Sequence, residues 1–330
     1  MKTTTDGVTL ADGETGSGFF HRILAETARL YPAALGDARL PADARAFKQS
    51  FGDALARFEA ARIASAERVA IARHLREQTL RELHFRRDGV EQLLVEAYRR
   101  ETPAPKTLTR GGSAKPGLVP EVHLGSKTWR GRQVLELIDE LHAAHQLTTA
   151  AAAGLRWVVE QADAKGGLDL SSERFVLIGA SAELSPIALL LQGGAKVRWI
   201  DVKAPTLDVT AGALSSTEGN DDLLASPLAV AAAVREFAKD GPVHLGLFAY
   251  APGASRELRL AGAMDALVEA LGPSVVKSVS FYVSPTTPGE LQPEDAEVSQ
   301  RRARAPKSWQ RGLQLARALR PPGHVGGVAR

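Results

Sequence analysis

Apolar residues run unbroken through Phe175-Val176-Leu177-Ile178, and the absence of polar alternation suits a parallel strand buried on both faces. Gly179 follows and permits a sharp turn. The segment from Ala182 to Gln192 reads as a helix, with Pro186 tolerated because it falls in the first turn. Gly193-Gly194 stops that helix, Lys196 to Ile200 reads as the next strand, and Asp201 stands at its carboxyl end. Val243 to Ala249 reads as another buried strand, and Val275 to Val283 as the next strand. Helices are expected from about Pro227 to Lys239 and from about Ser255 to Leu271, the second ended by Gly272-Pro273. Thr206 to Ser216 carries neither period and reads as an irregular connection. Strand and helix thus alternate from 174 to 284, which predicts an α/β fold with a doubly wound parallel sheet.

Upstream the pattern changes. Residues 1–18 are small, polar and glycine-rich and read as a disordered tail. Residues 19–101 read as a helical region: Phe47, Phe51, Leu55 and Phe58 stripe one side of a helix, and Val69, Ile71, Leu75, Leu80 and Leu83 continue the pattern. Residues 102–120 carry four prolines and three glycines and read as a linker or long loop. Residues 121–171 hold a basic, glycine-punctuated stretch and two helices leading into the sheet, the second from Thr148 to Ala162. Beyond the 172–290 domain, residues 291–330 form a basic helical tail with a helix at about 306–319. The chain stops soon after it, at Gly-His-Val-Gly-Gly-Val-Ala-Arg, which leaves room for a further C-terminal portion or a partner strand.

Composition narrows the function classes. Hydrophobic content of 44% and charged content of 24% are those of an ordinary globular protein. A formal charge of +3 is too small to argue for nucleic acid. The last thirty residues nevertheless hold Arg301, Arg302, Arg304, Lys307, Arg311, Arg317, Arg320 and Arg330 without an acidic residue, a solvated face or a dock for an anionic partner. Cysteine is absent, so there is neither a disulfide framework nor a thiolate metal site. His74 and His84 lack a second ligand at metal spacing, and no metal is expected. The polar N-terminus lacks the apolar core of a secretory signal, and no run reaches the ~18 apolar residues of a membrane span. A cytoplasmic protein without membrane association is expected; a homo-oligomer is compatible with the sequence.

In a doubly wound sheet, ligands sit beyond the carboxyl ends of the strands. Those ends are Gly179-Ala180-Ser181, Asp201, Tyr250-Ala251-Pro252-Gly253 and Ser284-Pro285-Thr286-Thr287, all small, polar or acidic. Asp201 is placed to accept hydrogen bonds from ribose hydroxyls. The run Ile178-Gly-Ala-Ser-Ala-Glu-Leu-Ser185 resembles the glycine-rich turn of the short-chain dehydrogenases/reductases, and Asp222-Leu223 resembles the pair that flanks adenine in that family. The likeness covers about 172–290 and implies a Rossmann-like nucleotide-binding domain. It implies cofactor contacts from Gly179, Ala180, Ser181, Ala182, Glu183, Leu184, Asp201, Asp222, Leu223 and Ala251, with NAD favoured over NADP by Asp201. Lys203 and Arg198 flank Asp201 and leave NADP open.

The chain also departs from that family. Glu183 and Ser185 stand where the family has its second and third glycines, and the Tyr-x-x-x-Lys pair is missing after Ser284. A proton donor must come from elsewhere, so Tyr250 and Ser284 are the candidate catalytic residues, with Tyr282 a phenol more suited to packing. Lys127, Arg130, Arg256 and Thr286 are candidates for holding a substrate that is anionic or carrier-bound. The leading expectation is NAD(P)-dependent oxidoreduction of a carbonyl, imine or acyl substrate. An S-adenosylmethionine-dependent methyltransferase uses the same acid at the second strand without a pyrophosphate. A Rossmann-like scaffold without catalysis is the third reading. A serine hydrolase built on Ser181 is disfavoured, because Gly179-Ala-Ser181-Ala-Glu183 departs from Gly-x-Ser-x-Gly.

Overall fold

A computed structural model of the chain describes residues 6–10, 15–219, 221–282 and 292–315. The strands are β1 (Gly7–Leu10), β2 (Leu83–Arg87), β3 (Val90–Leu93), β4 (Thr107–Gly111), β5 (Glu121–Leu124), β6 (Lys127–Arg130), β7 (Arg174–Ile178), β8 (Lys196–Ile200), β9 (Ala213–Thr217), β10 (Val243–Leu247) and β11 (Val276–Phe281). The helices are α1 (Gly16–Leu30), α2 (Pro32–Leu35), α3 (Ala44–Gln49), α4 (Phe51–Ala64), α5 (Arg68–Glu82), α6 (Leu94–Arg99), α7 (Val134–Ala143) and α8 (Thr149–Lys165), followed by α9 (Ile187–Gln192), α10 (Pro227–Phe237), α11 (Ala254–Leu271), α12 (Pro293–Arg304) and α13 (Ser308–Leu315). They gather into two compact units, one from the described parts of 1–23, 74–118 and 168–282, the other from those of 24–73, 119–167 and 283–330.

The first unit is a mixed α/β structure around a six-stranded sheet of order β11-β10-β7-β8-β9-β4. Its first five strands are parallel and β4 closes the edge antiparallel to β9. The apolar run at the start of the pattern becomes the centre: Val176 and Ile178 face one way with Ile200, Val243 and Leu245, packed against Val230, Val234, Ala263 and Leu267 of α10 and α11. Leu177 faces the other way with Val197, Trp199 and Leu214, under Ile187 and Leu191 of α9. Each fully buried Val, Leu or Ile side chain contributes roughly 1.5–3 kcal/mol to the fold. A small antiparallel sheet, β1-β2-β3, shares the first of these cores through Val8, Leu10, Leu83 and Phe85.

Several expectations change here. Residues 7–10 were expected in a disordered tail, but Val8 and Leu10 are buried and the strand pairs with β2. The 19–101 region is not wholly helical, since β2 and β3 turn at Asp88-Gly89, both with positive φ (51° and 77°), the Asp-Gly signal of a tight hairpin. The phenylalanine stripe does not lie on one helix: the chain breaks at Ser50 between α3 and α4, leaving Phe47 and Phe58 buried and Phe51 exposed. The 102–120 linker contains β4, and the irregular 206–216 connection contains most of β9. Both are short and rich in Ser and Thr, β4 at the sheet edge and β9 beside it, so neither presents an apolar run.

In the second unit the β5–β6 hairpin precedes α7 and α8, whose Val134, Ile138, Ala152 and Val159 form a core with Trp129. Helix α8 is capped by the Thr148 hydroxyl, which accepts from Ala151 N–H at 3.2 Å, and ends at Gly166 in the left-handed conformation. Asp295, in the first turn of α12, accepts from Thr149 N–H at 2.9 Å, and Arg302 donates to the Ala144 carbonyl at 2.7 Å. Of the helix expected at about 306–319, Ser308–Leu315 is described. Among the described residues no helix is long and apolar enough to cross a membrane.

Candidate functional site

The order of the parallel strands creates a crevice. From β7 the chain moves outward through β8 and β9, then returns to the other side of β7 for β10 and β11. Loops leaving β7 and β10 therefore diverge, and ligands enter such sheets at that point. A cleft of about 390 Å³ opens there, beyond the carboxyl ends of β7, β8 and β10.

Gly179 shapes its floor. Its φ of +81° starts the turn, and a Cβ there would lie 2.2 Å from the Ala249 nitrogen. The close approach is thus made by the chain leaving β10, while Gly179 N–H donates to the Ile200 carbonyl at 2.9 Å and Phe248 N–H to the Ile178 carbonyl at 2.8 Å. The turn continues with Ala182 N–H to the Gly179 carbonyl at 3.0 Å and Ser185 N–H to the Ala182 carbonyl at 2.9 Å. Helix α9 begins only at Ile187 and has six residues. The expected helix from Ala182 is therefore replaced over its first turns by successive tight turns.

Asp201 ties three loops together. Its Oδ2 accepts from Ser181 N–H at 2.8 Å, its Oδ1 from Lys203 N–H at 3.0 Å, and its carbonyl from Asp221 N–H at 3.0 Å. Each carboxylate oxygen retains a second lone pair for a ligand. Asp222 Oδ1 accepts from Leu224 N–H at 2.8 Å and Ala225 N–H at 3.2 Å, which fixes the loop before α10.

Gly179, Ser181, Ala182, Glu183 and Asp201 line the cleft, as do Asp222, Leu223, Tyr250, Ala251 and Arg256. Ala180 does not, being packed into the core, nor does Leu184, which is 67% exposed and whose carbonyl accepts from the Tyr282 hydroxyl. Tyr282 also lies against Phe248, with ring centroids 4.8 Å apart, so its phenol is structural. Tyr250 is 72% exposed on the cleft wall. Lys127 and Arg130 belong to the β5–β6 hairpin of the other unit, where Lys127 stands 5.9 Å from the Trp129 ring and Arg130 lies 3.5 Å from Glu121. Ser284 and Thr286 lie outside the described residues.

Asp221 also lines the cleft and escaped the sequence reading. It is buried with its carboxylate 3.8 Å from the Arg198 guanidinium, which is 1% exposed and donates to the Thr107 hydroxyl at 2.9 Å. Burial pushes the Asp221 carboxyl up, against the pull of Arg198 and a hydrogen bond with Thr217, and pushes the Arg198 guanidinium down. Desolvation outweighs attraction in this pair. The only sequence signal was a charged residue, Arg198, inside an apolar strand that otherwise reads as fully buried.

The lining is acidic: Glu183, Asp201, Asp221 and Asp222 face Lys203 and Arg256. Leu223, Ala251 and Leu260 supply apolar wall. Among the described residues no group of three or more His, Asp or Glu side chains is placed to hold a metal ion. No protein-family model, curated protein or solved structure matches the chain.

Proposed function

We propose that the sheet is a Rossmann-like, doubly wound one, that its cleft binds an adenosine-bearing cofactor, and that this cofactor is S-adenosylmethionine, used for group transfer to a small acceptor. The observation that carries this reading is how the turn after β7 spends its donors. Gly179, Ser181, Ala182 and Ser185 N–H groups all donate to protein acceptors, whereas a pyrophosphate is held by such groups at a helix N-terminus. Four carboxylates against two cations likewise favour a ligand whose charge beside the adenosine is positive. The chemistry such a cofactor supplies is a methyl group activated on a positively charged sulfur.

The protein's own residues take the remaining roles. Asp201 and Asp222 accept from the ribose hydroxyls through their open lone pairs, and Leu223, Ala251 and Leu260 give the adenine an apolar wall. Arg256 holds the anionic end of an acceptor, which is read as a small or carrier-bound molecule, and Tyr250 orients its nucleophile by a hydrogen bond.

NAD(P)-dependent oxidoreduction is the second reading, favoured by the exposed phenol of Tyr250 as a proton donor at the end of β10. Melting temperature measured with S-adenosylmethionine, NADH or NADPH separates the two. S-adenosylmethionine at roughly 100 times its Kd adds about 2.7 kcal/mol, and Asp201→Ala abolishes the gain while the protein stays folded. Stabilisation by a dinucleotide alone replaces transfer with oxidoreduction. Stabilisation by none of the three leaves a scaffold.

A further inference from the structure

A second cavity lies in the first unit, away from the cleft. It is a solvent-open groove of about 570 Å³ between the end of α10 and the chain that leaves α6, and Arg99, Arg100, Arg235 and Lys239 line it. Glu101 and Glu236 line it too. Two of the cations already have carboxylates three residues away: Arg99 pairs with Glu96 at 2.8 Å and Lys239, just past α10, with Glu236 at 2.6 Å. Arg100 and Arg235 pair with no carboxylate among the described residues.

Arg235 is the more telling of the two. It is half-buried, and one Nη2–H donates to the Tyr98 carbonyl at 2.6 Å, which aligns the guanidinium along the cavity wall. Burial lowers its pKa, and among the described residues no opposing charge restores it. A guanidinium has five donors in a planar fork, and a single carbonyl leaves most of that capacity unused. An anion reaching the cavity would recover charge-assisted hydrogen bonds from Arg235 and meet Arg100 on the opposite strip of chain. Glu101 argues against a long polyanion and for a compact one. Four cations, two of them without a carboxylate partner, favour a dianion over a monoanion.

We propose that this cavity is a binding site for the phosphate group of a small phosphorylated molecule, held by Arg100 and Arg235 with Arg99 and Lys239 at its rim. Nothing in it depends on what the cleft binds, because the two share no lining residue.

Calorimetric titration of the full chain with inorganic phosphate, with acetate at the same ionic strength as the comparison, tests the site. Saturable phosphate binding is expected, with acetate at least about tenfold weaker. Arg100→Gln should weaken phosphate by about tenfold or more, the loss expected for one charge-assisted hydrogen bond. Arg100 is exposed, so that variant folds whatever its effect on binding. Arg235→Lys, which keeps the charge and loses the fork, should weaken it similarly. The site is overturned if phosphate does not saturate, if acetate binds as tightly, or if phosphate binds both variants as it binds the parent.

Discussion

At the scale of single residues, Gly179 decides whether the cleft exists. An alanine there would adopt a left-handed conformation at a cost of about 1–2 kcal/mol, and its methyl group would have to displace the backbone at Ala249, for about 1–3 kcal/mol more. Gly179→Ala should therefore lower the unfolding free energy measured in urea by several kcal/mol; a loss under about 1 kcal/mol would mean that the β10 end yields freely. Gly179 and Asp201 were legible in the sequence because a glycine after an apolar run and an acid after the next have few other uses. What was not legible is the partner each one serves. Gly179 makes room for protein backbone, and Asp201 binds the N–H groups of Ser181 and Lys203. Asp221 was passed over because its burial depends on Arg198, twenty-three positions earlier.

At the scale of elements, β7, β10 and the edge strand β11 are tied at their amino ends by side chains. Glu173 accepts from Lys277 Nζ at 2.8 Å and from His244 Nε2 at 2.9 Å, and His244 Nδ1 and the Ser278 hydroxyl share a hydrogen bond of 2.7 Å, so β7, β10 and β11 share one polar clasp. The hydrogen bond from Lys277, then that from His244, holds the Glu173 carboxyl below its ordinary value of 4.5. A carboxyl lowered by folding contributes stability above its unfolded pKa and loses it as pH falls through the folded one. Between those values the parent should lose its urea midpoint more steeply with falling pH than Glu173→Gln; parallel curves would falsify the clasp. Elements that carry most of the buried core, β7, β8, β10, α10 and α11, were readable from apolar runs and glycine stops. The strands that were missed, β1 to β6 and β9, are mixed in polarity and hold no unbroken apolar run longer than two residues, so neither period declares itself.

At the scale of the molecule, the unit that carries both proposed sites is assembled from three separate stretches of chain. No local pattern could reveal this, because the hydrogen bonds of β4 are made to β9, whose first residue, Ala213, comes long after Gly111. A partner so distant in sequence also sets a timetable. At ordinary translation speeds of about 5–20 residues per second, β4 leaves the ribosome roughly 5–20 s before its partner does. An apolar strand kept waiting that long would invite aggregation, yet Thr107-Leu-Thr-Arg-Gly111 is largely polar and carries a charge. A nascent chain arrested before residue 213 should be cut by protease within 107–111, and one released beyond residue 282 should resist. The modest composition that hid this strand from the sequence reading is what lets the chain carry it safely through its own synthesis.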